Sequence, residues 1–485
     1  MDSTPDTAPD AGQSDPDSGR TPPGPGSVAS TREYGKTAGL LTIGVGLTGL
    51  LTYAYFLIAS HDLSKTDYGE ITVLWSAVFI TVSTLYRPVD QLLSRHISEN
   101  IQLGLTDSGP VKVATRIQLG LGLGFAVLAL ILKGPLEDLM SGNSVLYWVF
   151  FSSVLFYAAS YFARGYLAGH QQFGLFTALI LSESLFRTLF ALLVAFGILT
   201  GQSWVAVGIV AAPLLSLLVV PFAISRRSRQ EAAERSALAE RSGVTLAEPE
   251  EFSFSHGAGF VGSLLLIMFS EQVFLNAGPL VVYAVKDAEA AGFIFNVLMI
   301  ARAPLQLFQS VSTSILPRLT SLHSSSDENS EREFHRSVNL VALGIVAFTA
   351  ISAVVMAVAG PKLMQIAFSD KFTYDRLGLL LVTAGMGLYL LAVTVNQATL
   401  AQGQARRSSF RWIACAGFFL VWTLLPFIGD VNLRVEIGFA LTALILLASL
   451  FVIYRRPHGI EDDVPSAGSA EEIEARLAGL DEGNI

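Results

Sequence analysis

Long apolar segments alternate with short polar ones along almost the whole chain. The first segment, residues 38–60, contains no charged side chain. Because a helix needs roughly 20 apolar residues to cross the hydrocarbon core of a bilayer, each segment of this length predicts a membrane-spanning helix. Twelve are predicted, near residues 38–60, 71–93, 113–132, 145–163, 174–199, 203–224, 257–285, 290–316, 337–359, 377–402, 412–428 and 437–454.

These helices divide into two groups of six around one polar linker. We expect an N-lobe at 38–224, a cytoplasmic linker at 225–256 and a C-lobe at 257–454, with cytoplasmic tails at 1–37 and 455–485. The first tail is rich in Pro, Gly, Asp, Ser and Thr and has no apolar core, so it is predicted to be disordered and not a cleaved signal peptide. The predicted fold class is an all-α polytopic membrane protein.

The two predicted lobes contain a matching segment. In the first lobe 26 residues separate Gly69 from Arg95, and in the second the same number separates Gly292 from Arg318. The copies lie on predicted helices 2 and 8, which are an even number of helices apart, so both have the same orientation. Parallel repeats of this kind are related by a pseudo-two-fold axis along the membrane normal and leave a cleft that opens alternately to either face. The pattern therefore indicates a transporter.

The composition agrees with a membrane-embedded region between two acidic tails. The chain is 52% hydrophobic and 15% charged, with a mean hydropathy of +0.53, which exceeds what a soluble protein of this length buries. The net charge of -9 comes from the tails: residues 2–38 carry six acids and three bases, and residues 457–485 carry eight acids and one base. The body shows no basic footprint for nucleic acid.

The distribution of Lys and Arg predicts the orientation. Most of these residues outside the predicted helices lie in the two tails and in the loops after the even-numbered helices, whereas the opposite loops hold only seven. Because positively charged flanks resist translocation, we expect a plasma-membrane protein with both termini in the cytoplasm.

Catalytic chemistry finds no support in the sequence. The single cysteine, Cys415, lies in an apolar run, so neither a disulfide nor a cysteine metal site is expected. No metal-ligand or nucleophile constellation and no phosphate-cradling loop occurs. The prediction is a protein that is not an enzyme and has no cofactor.

Four segments, in order, resemble a known family. They are LSKTDYGE at 63–70, RGYLAGHQQFG at 164–174, the stretch from Ala291-Gly292-Phe293 to Pro317-Arg318, and NQATL at 396–400. Over residues 34–456 the chain resembles the polysaccharide (O-antigen, Wzx-like) flippase branch of the multidrug/oligosaccharidyl-lipid/polysaccharide (MOP) exporter superfamily. The loop after helix 2, SRHISEN, lacks the Gly, Asp, Arg and Gly pattern of the major facilitators.

The resemblance implies a MATE-like fold of about 12 helices in two six-helix lobes. It also implies that the protein moves a polyprenyl-diphosphate-linked oligosaccharide from the inner to the outer leaflet for cell-surface polysaccharide synthesis. Lipid II flippases usually carry two further helices, for which no apolar segment remains. Such cargo needs a polar route for its sugars and diphosphate, so ionisable residues at membrane depth become the candidates.

Two arginines lie near the middle of predicted helices, where a charge costs about 2.5 to 3.5 kcal/mol on insertion scales. Guanidinium grips phosphate oxygens in a bidentate manner and stays charged, so Arg302 and Arg187 are predicted to line the cavity and contact the cargo. For Arg187 the alternative is neutralisation by Glu183, four residues earlier on the same helix face.

Polar residues on helix 7 offer a coupling site. Glu271, with Gln272 and Asn276 nearby, is predicted either to bind a coupling H⁺ or Na⁺ or to pair with Arg302 across the lobe. On helix 2, Arg87 is predicted to meet an entering head group beside Asp90, the alternative being that Arg87 snorkels to the interface.

Three other functions stay open. An ion-coupled exporter of small molecules or drugs would use a smaller aromatic cavity with an ion-binding acid, for which Glu271 qualifies. A membrane glycan polymerase or ligase is expected to show a large outward loop, whereas the longest predicted here is 360–376. A non-transporting scaffold would instead recruit glycan-biosynthesis proteins through the linker and tails.

Overall fold

All the secondary structure described for this chain is helical. A computed structural model describes residues 28–102, 108–219, 258–302, 328–372 and 374–455. The predicted linker at 225–256, Arg318, residues 1–27 of the first tail and residues 456–485 of the second lie outside these ranges.

The N-terminal helices, α1–α8, are called the N-lobe below. α6 begins at a capping residue, Asn143, whose side chain accepts from the amides of Val145 and Leu146, as expected at a helix start. The bounds are α1 Val28–Asp62, α2 Lys65–Leu85, α3 Arg87–Gln102, α4 Ser108–Ile131, α5 Lys133–Leu139, α6 Ser144–Gly169, α7 Phe173–Ala195 and α8 Gln202–Ser216.

The C-terminal helices, α9–α14, are called the C-lobe. Asp375 and Asp430 cap the starts of α12 and α14 through their carboxylates. The bounds are α9 Ala258–Val285, α10 288–302 as far as it is described, α11 Glu328–Phe368, α12 Arg376–Ala401, α13 Ala405–Leu424 and α14 Val431–Tyr454.

Nine helical stretches in the described ranges are long and apolar enough to cross a membrane, one of them being α2 and α3 together. The protein is therefore a multi-pass membrane protein. The other three predicted spans correspond to α8, which is short, to α10, and to α13, which carries three arginines in its first two turns.

Two helices are longer than predicted. α1 begins at Val28, so the last ten residues of the predicted disordered tail are helical. Extending a helix that already exists adds one hydrogen bond for each residue fixed, which is far easier than nucleating a new one. α11 continues past 359 to Phe368 with Pro361 inside it, which shortens the predicted outer loop at 360–376.

The second predicted helix is broken at Tyr86. Pro88 has no amide hydrogen and cannot bond to the preceding turn, and α2 ends at Leu85 before α3 resumes at Arg87. The Tyr86 amide still bonds to Val82 and the Asp90 amide to Tyr86, so the break is a bend and not a loop.

Packing within the two lobes follows the same order. In the N-lobe α1 packs on α7 and α6 packs on α8, and in the C-lobe α9 packs on α13 and α12 packs on α14. α4 packs on α6, as α11 packs on α12. α4 and α11 present apolar residues such as Ile131 and Val358, 73% and 75% exposed, outward, where lipid replaces protein as the neighbour.

The two glycines that the repeat singled out meet each other. A Cβ added to Gly292 would lie 3.2 Å from the Cα of Gly69, and one added to Gly69 would lie 1.8 Å from the carbonyl oxygen of Ala288. Only the absence of a side chain lets α2 and α10 approach this closely. The repeat therefore places its own signature residues at the contact between lobes.

We predict that Gly69→Ala lowers the melting temperature of the purified protein, because the new methyl group meets backbone that must move. Overpacking of this kind typically costs about 1–3 kcal/mol. Gly120→Ala is the matched control, since nothing lies within 4 Å of its added Cβ. An unchanged melting temperature for Gly69→Ala would contradict this contact.

Candidate functional site

The two lobes meet along a seam where helices of one lobe pack on helices of the other. α2 of the N-lobe packs on α9 of the C-lobe, and α1 meets α10. There the Tyr53 hydroxyl donates to the Met299 carbonyl at 2.5 Å, and the rings of Phe56 and Phe295 lie 4.6 Å apart. The seam is therefore the contact surface between the two lobes.

One end of this seam is closed by polar contacts, and we call it the closed end; it comprises residues 60–69, 287–296, 371, 372 and 374. Lys371 of the C-lobe donates to three carbonyls where α1 ends: Leu63 at 2.7 Å, His61 at 2.8 Å and Ser60 at 3.4 Å. A cation suits this position, because the last carbonyls of a helix lack partners and carry partial negative charge.

A buried hydrogen-bonded chain lies beside this lysine. Tyr68 donates to Asn296 Oδ1 at 2.5 Å, and Asn296 Nδ2 donates to the Tyr374 hydroxyl at 2.8 Å. Burial raises the pKa of the Tyr374 phenol, so it stays neutral at physiological pH. These hydrogen bonds connect α2 of the N-lobe to α10 and to the segment before α12, and thus connect the two lobes.

The middle of the seam holds an ion pair between the lobes. Arg87, the first residue of α3, lies with its Nη1 3.5 Å from Glu271 Oε2 on α9. The side chains are 35% and 16% exposed, so water reaches the pair only in part. The bend at Tyr86 presents Arg87 to the cleft.

Arg302 lies in the same region with a different kind of partner. Its Nη1 donates to Asn276 Oδ1 at 3.3 Å, and Asn276 Nδ2 donates to Gln272 Oε1 at 3.0 Å. Among the described residues no carboxylate pairs with Arg302, and its buried Nε has no hydrogen-bond partner. The sequence suggested pairing with Arg302 as one of two alternatives for Glu271. In the structure Glu271 pairs with Arg87 instead.

The Tyr389 hydroxyl adds a further polar group. It is fully buried on α12 and lies beside Glu271, Arg87 and Arg302. The described residues thus bring together two guanidinium groups, one carboxylate, two amides and a phenol.

A sodium ion has no vacant oxygen cage in this group. Gln272 Oε1 and Asn276 Oδ1 each accept a hydrogen bond, and Glu271 faces Arg87. The described part of the chain also contains no cluster of three or more His, Cys, Asp or Glu residues with metal-binding geometry. An ion bound here would compete with the arginines.

The other predicted pair is buried inside the N-lobe. Glu183 accepts from Arg164 at 2.5 Å, Tyr157 at 2.9 Å and Ser160 at 3.2 Å, and lies 3.6 Å from Arg187. Arg187 is 3% exposed and stacks on Trp75 at 4.6 Å. Arg187 thus has the geometry expected if Glu183 neutralises it, which was the alternative to cargo contact.

Sequence reasoning missed Arg164, Lys371 and Asn296. Arg164 neutralises Glu183 and lies over the Tyr161 ring at 4.5 Å; the only signal was its place in the RGYLAG motif. Asp90 lies against this turn, since its carboxylate Oδ1 is 3.1 Å from where a Cβ on Gly165 would be. α3 and α6 are thus fixed to each other beside Arg87.

The fold is shared with solved MATE transporters. An inward-facing multidrug resistance MATE family transporter of the MOP superfamily aligns with a TM-score of 0.61 at 10% identity, over 92% of this chain and 99% of that one. An outward-facing one gives 0.58 at 11% identity, over 87% and 95%. A eukaryotic MATE transporter, AtDTX14, gives 0.59 at 13% identity, over 89% and 96%.

These similarities establish an all-helical, MATE-like membrane fold. The sequence matches no family model, and no curated protein matches it.

We predict that Glu183→Gln strongly destabilises the N-lobe, because it leaves two buried guanidinium groups without a counter-charge. Breaking a buried pair in this way typically costs about 3–5 kcal/mol, which will show as a lower melting temperature and a lower yield of monodisperse protein. Glu289→Gln is the control, since that carboxylate is 53% exposed and 3.9 Å from Lys65. Equal behaviour of the two variants would contradict the assignment.

We also predict that Lys371→Met widens the closed end. Hydrogen bonds to a charged donor contribute about 1.5–3 kcal/mol each, less where water reaches them, so the population with separated lobes should rise. Spin labels at two exposed sites, Thr200 and Lys286, report the distance between the lobes. Lys133→Met is the control, because that lysine lies over N-lobe rings only.

Proposed function

We propose that this protein is an alternating-access transporter that flips a polyprenyl-diphosphate-linked oligosaccharide from the inner to the outer leaflet for surface polysaccharide synthesis. The observation that carries the proposal is Arg302. It is a guanidinium at membrane depth with an unused buried donor and, among the described residues, no carboxylate partner.

A charge in this position needs a reason. Intramembrane arginines are costly and normally face a bundle interior or a water-filled cavity, where they mark a substrate path. Asn276 offers Arg302 a single dipole, which compensates less than a carboxylate does. An anionic group entering the cleft would supply the missing charge, and a lipid diphosphate suits the bidentate geometry of guanidinium.

The pair between the lobes gives the cargo a way to act on conformation. Arg87 now faces Glu271 at 3.5 Å, a long contact that holds α3 near α9. A diphosphate between Arg87 and Arg302 would replace Glu271 as the partner of Arg87. Cargo binding would thus exchange a bond between the lobes for a bond to cargo, which couples occupancy to lobe movement.

The closed end fits the predicted orientation. It lies where α1 ends and α2 begins, and with both termini in the cytoplasm this is the outer face. The state described here is then closed outward, so that the cargo enters from the inner leaflet. Polar seam residues would accommodate the sugars while the polyprenyl tail stays in lipid.

The remaining predicted residues receive supporting roles. Glu183, buried and paired with both Arg164 and Arg187, keeps the N-lobe rigid, and neither Glu183 nor Arg187 contacts cargo. Asp90 and Arg164 position α3, and with it Arg87. Gln272 and Asn276 hold Arg302 and line the polar route.

A second candidate is ion-coupled export of a small molecule. Two of the aligned structures are described as multidrug resistance transporters, and Glu271 is a carboxylate at membrane depth. A cationic drug would need that carboxylate free, whereas here it faces Arg87. The two candidates differ in which charge is indispensable, Arg302 for a lipid diphosphate and Glu271 for proton coupling.

We predict that Arg302→Gln abolishes flipping, because the amide keeps the polar contact to Asn276 but loses the charge for phosphate. Cells whose own copy is replaced by the variant should accumulate a polyprenyl-diphosphate oligosaccharide, detected by mass spectrometry of lipid extracts, and lose the matching surface polymer. Arg95→Gln is the control, as Arg95 is an exposed residue paired with Glu99 on its own helix.

Unchanged lipid intermediates with Arg302→Gln, at normal expression, would contradict the flippase. Loss of drug resistance with Glu271→Gln but not with Arg302→Gln would favour the exporter. Normal surface polymer with both variants, and its loss only when the linker or tails are deleted, would indicate a scaffold for glycan-biosynthesis proteins.

A further inference from the structure

The connection between α4 and α6 reaches from the N-lobe to the C-lobe. The Tyr283 hydroxyl on α9 donates to the Asp138 carbonyl at 3.3 Å and lies 2.8 Å from Ser141 Oγ, which is then the donor to it. Tyr283 lies two residues before the end of α9, and the closed end begins at residue 287. We call the contact of residues 138–141 with Tyr283 the strap; it lies at the same end of the seam as the closed end.

The strap corresponds to the Lys371 contact with the two lobes exchanged. Tyr283 follows Ser60 by the same 223 residues by which Gly292 follows Gly69. The Ser60 carbonyl accepts from Lys371, which lies in the connection after α11, and Tyr283 bonds to the connection after α4. In each case the connection after the third span of one lobe meets the end of the first helix of the other, as a pseudo-two-fold repeat predicts.

The two corresponding contacts differ in strength. Lys371 donates to three carbonyls, and hydrogen bonds from a charged donor are roughly twice as strong as neutral ones. The strap has two neutral bonds between exposed groups, for which water competes. The repeat also places Val73 where α10 has Asn296, and an apolar side chain cannot form the buried hydrogen-bonded chain that reinforces the lysine side.

The turn that carries Ser141 ends α5 with an unusual residue. The Gly142 amide bonds to the Glu137 carbonyl at 2.9 Å and the Ser141 amide to the Asp138 carbonyl at 3.1 Å, which are the two bonds of a Schellman motif. The residue after the cap in this motif is left-handed and usually glycine. Here it is Ser141, with φ of 57°. Glycine would suit this backbone better but has no hydroxyl for Tyr283, so the outlier points to a role for the serine side chain.

We infer that the strap is the weaker of two closing contacts on this face, and that the lobes separate there first and pivot on the lysine side. Tyr283 exchanges Ser141 and Asp138 for water while the three bonds of Lys371 still hold. The gap then opens between α5 and α9 before it reaches the rest of the seam. This order of opening rests on the alternating access proposed above, but not on the identity of the cargo.

The test is double electron–electron resonance on the full-length protein in lipid nanodiscs without added cargo. Cys415→Ala first removes the single native thiol. One pair of spin labels, at Ser144 and Lys286, reports the distance on the strap side. A second pair, at Asp62 and Asp370, reports the distance on the lysine side. All four labelled positions are exposed.

Tyr283→Phe should raise the widely separated population of the first pair about two- to tenfold, the factor that corresponds to one neutral hydrogen bond. The second pair should not change, because the pivot is intact. Lys371→Met should widen both pairs, because the pivot is lost. Tyr147→Phe is the matched control and should widen neither, since that hydroxyl donates to the Ala129 carbonyl within the N-lobe at 3.0 Å.

Ser141→Gly separates the hydroxyl from the turn. It removes the bond to Tyr283 and gives the left-handed position the residue that fits it best. We therefore expect the first pair to widen as it does with Tyr283→Phe, without a lower melting temperature. This variant also keeps the test decisive if Tyr283→Phe does not fold.

The possible outcomes distinguish the strap from the proposed function. Equal widening of both pairs with Tyr283→Phe would overturn the order of opening. If Lys371→Met widens both pairs but Tyr283→Phe and Ser141→Gly widen neither, the strap is overturned and alternating access stands. If none of the variants widens either pair, the lobes do not separate at this end, and both the strap and alternating access are contradicted.

Discussion

The constraint on which this structure depends is the cost of charge at membrane depth. Glu183 meets it by accepting three hydrogen bonds from α6, one of them from Arg164, and by pairing with Arg187 on its own helix, and the N-lobe gains a rigid interior. Arg87 and Glu271 reduce the cost of their charges by pairing across the seam. Among the described residues, Arg302 meets it only through Asn276. The degree of compensation thus falls from the lobe interior to the cleft, which separates charges that support the fold from charges available to a ligand.

The sequence predicted the spans well because crossing a bilayer imposes one length and one polarity on every helix. The repeat located Gly69 and Gly292 correctly at corresponding positions, and their contact follows from the pseudo-symmetry of two lobes. The position of a residue within a predicted span thus gives its depth in the membrane. It does not give the direction in which the side chain points, because that depends on neighbours distant in the sequence. Glu271 was therefore expected to meet Arg302 or an ion, and it meets Arg87.

Polar contacts between distant segments escaped prediction for the same reason. Lys371 lies in a short connection and Asn296 in an apolar helix, and nothing local distinguishes either from a solvated lysine or a helix-packing amide. Both became meaningful only when α10 and the segment before α12 were placed beside the end of α1. Arg164 likewise stands at the end of a predicted helix, where snorkelling is the ordinary expectation.

The closed end has a property that its individual contacts do not show. Glycine backbone, lysine-to-carbonyl bonds and an amide between two phenols hold it together, and the rings of Tyr68, Phe293, Phe372 and Tyr374 pack around these contacts. Water replaces such bonds almost one for one, so the net contribution of each neutral one is about 0.5–1.5 kcal/mol, and only those donated by the charged Lys371 contribute more. The polar bonds can therefore be exchanged for water at small cost, and the cost of separating the lobes at this end is mainly that of exposing its aromatic rings.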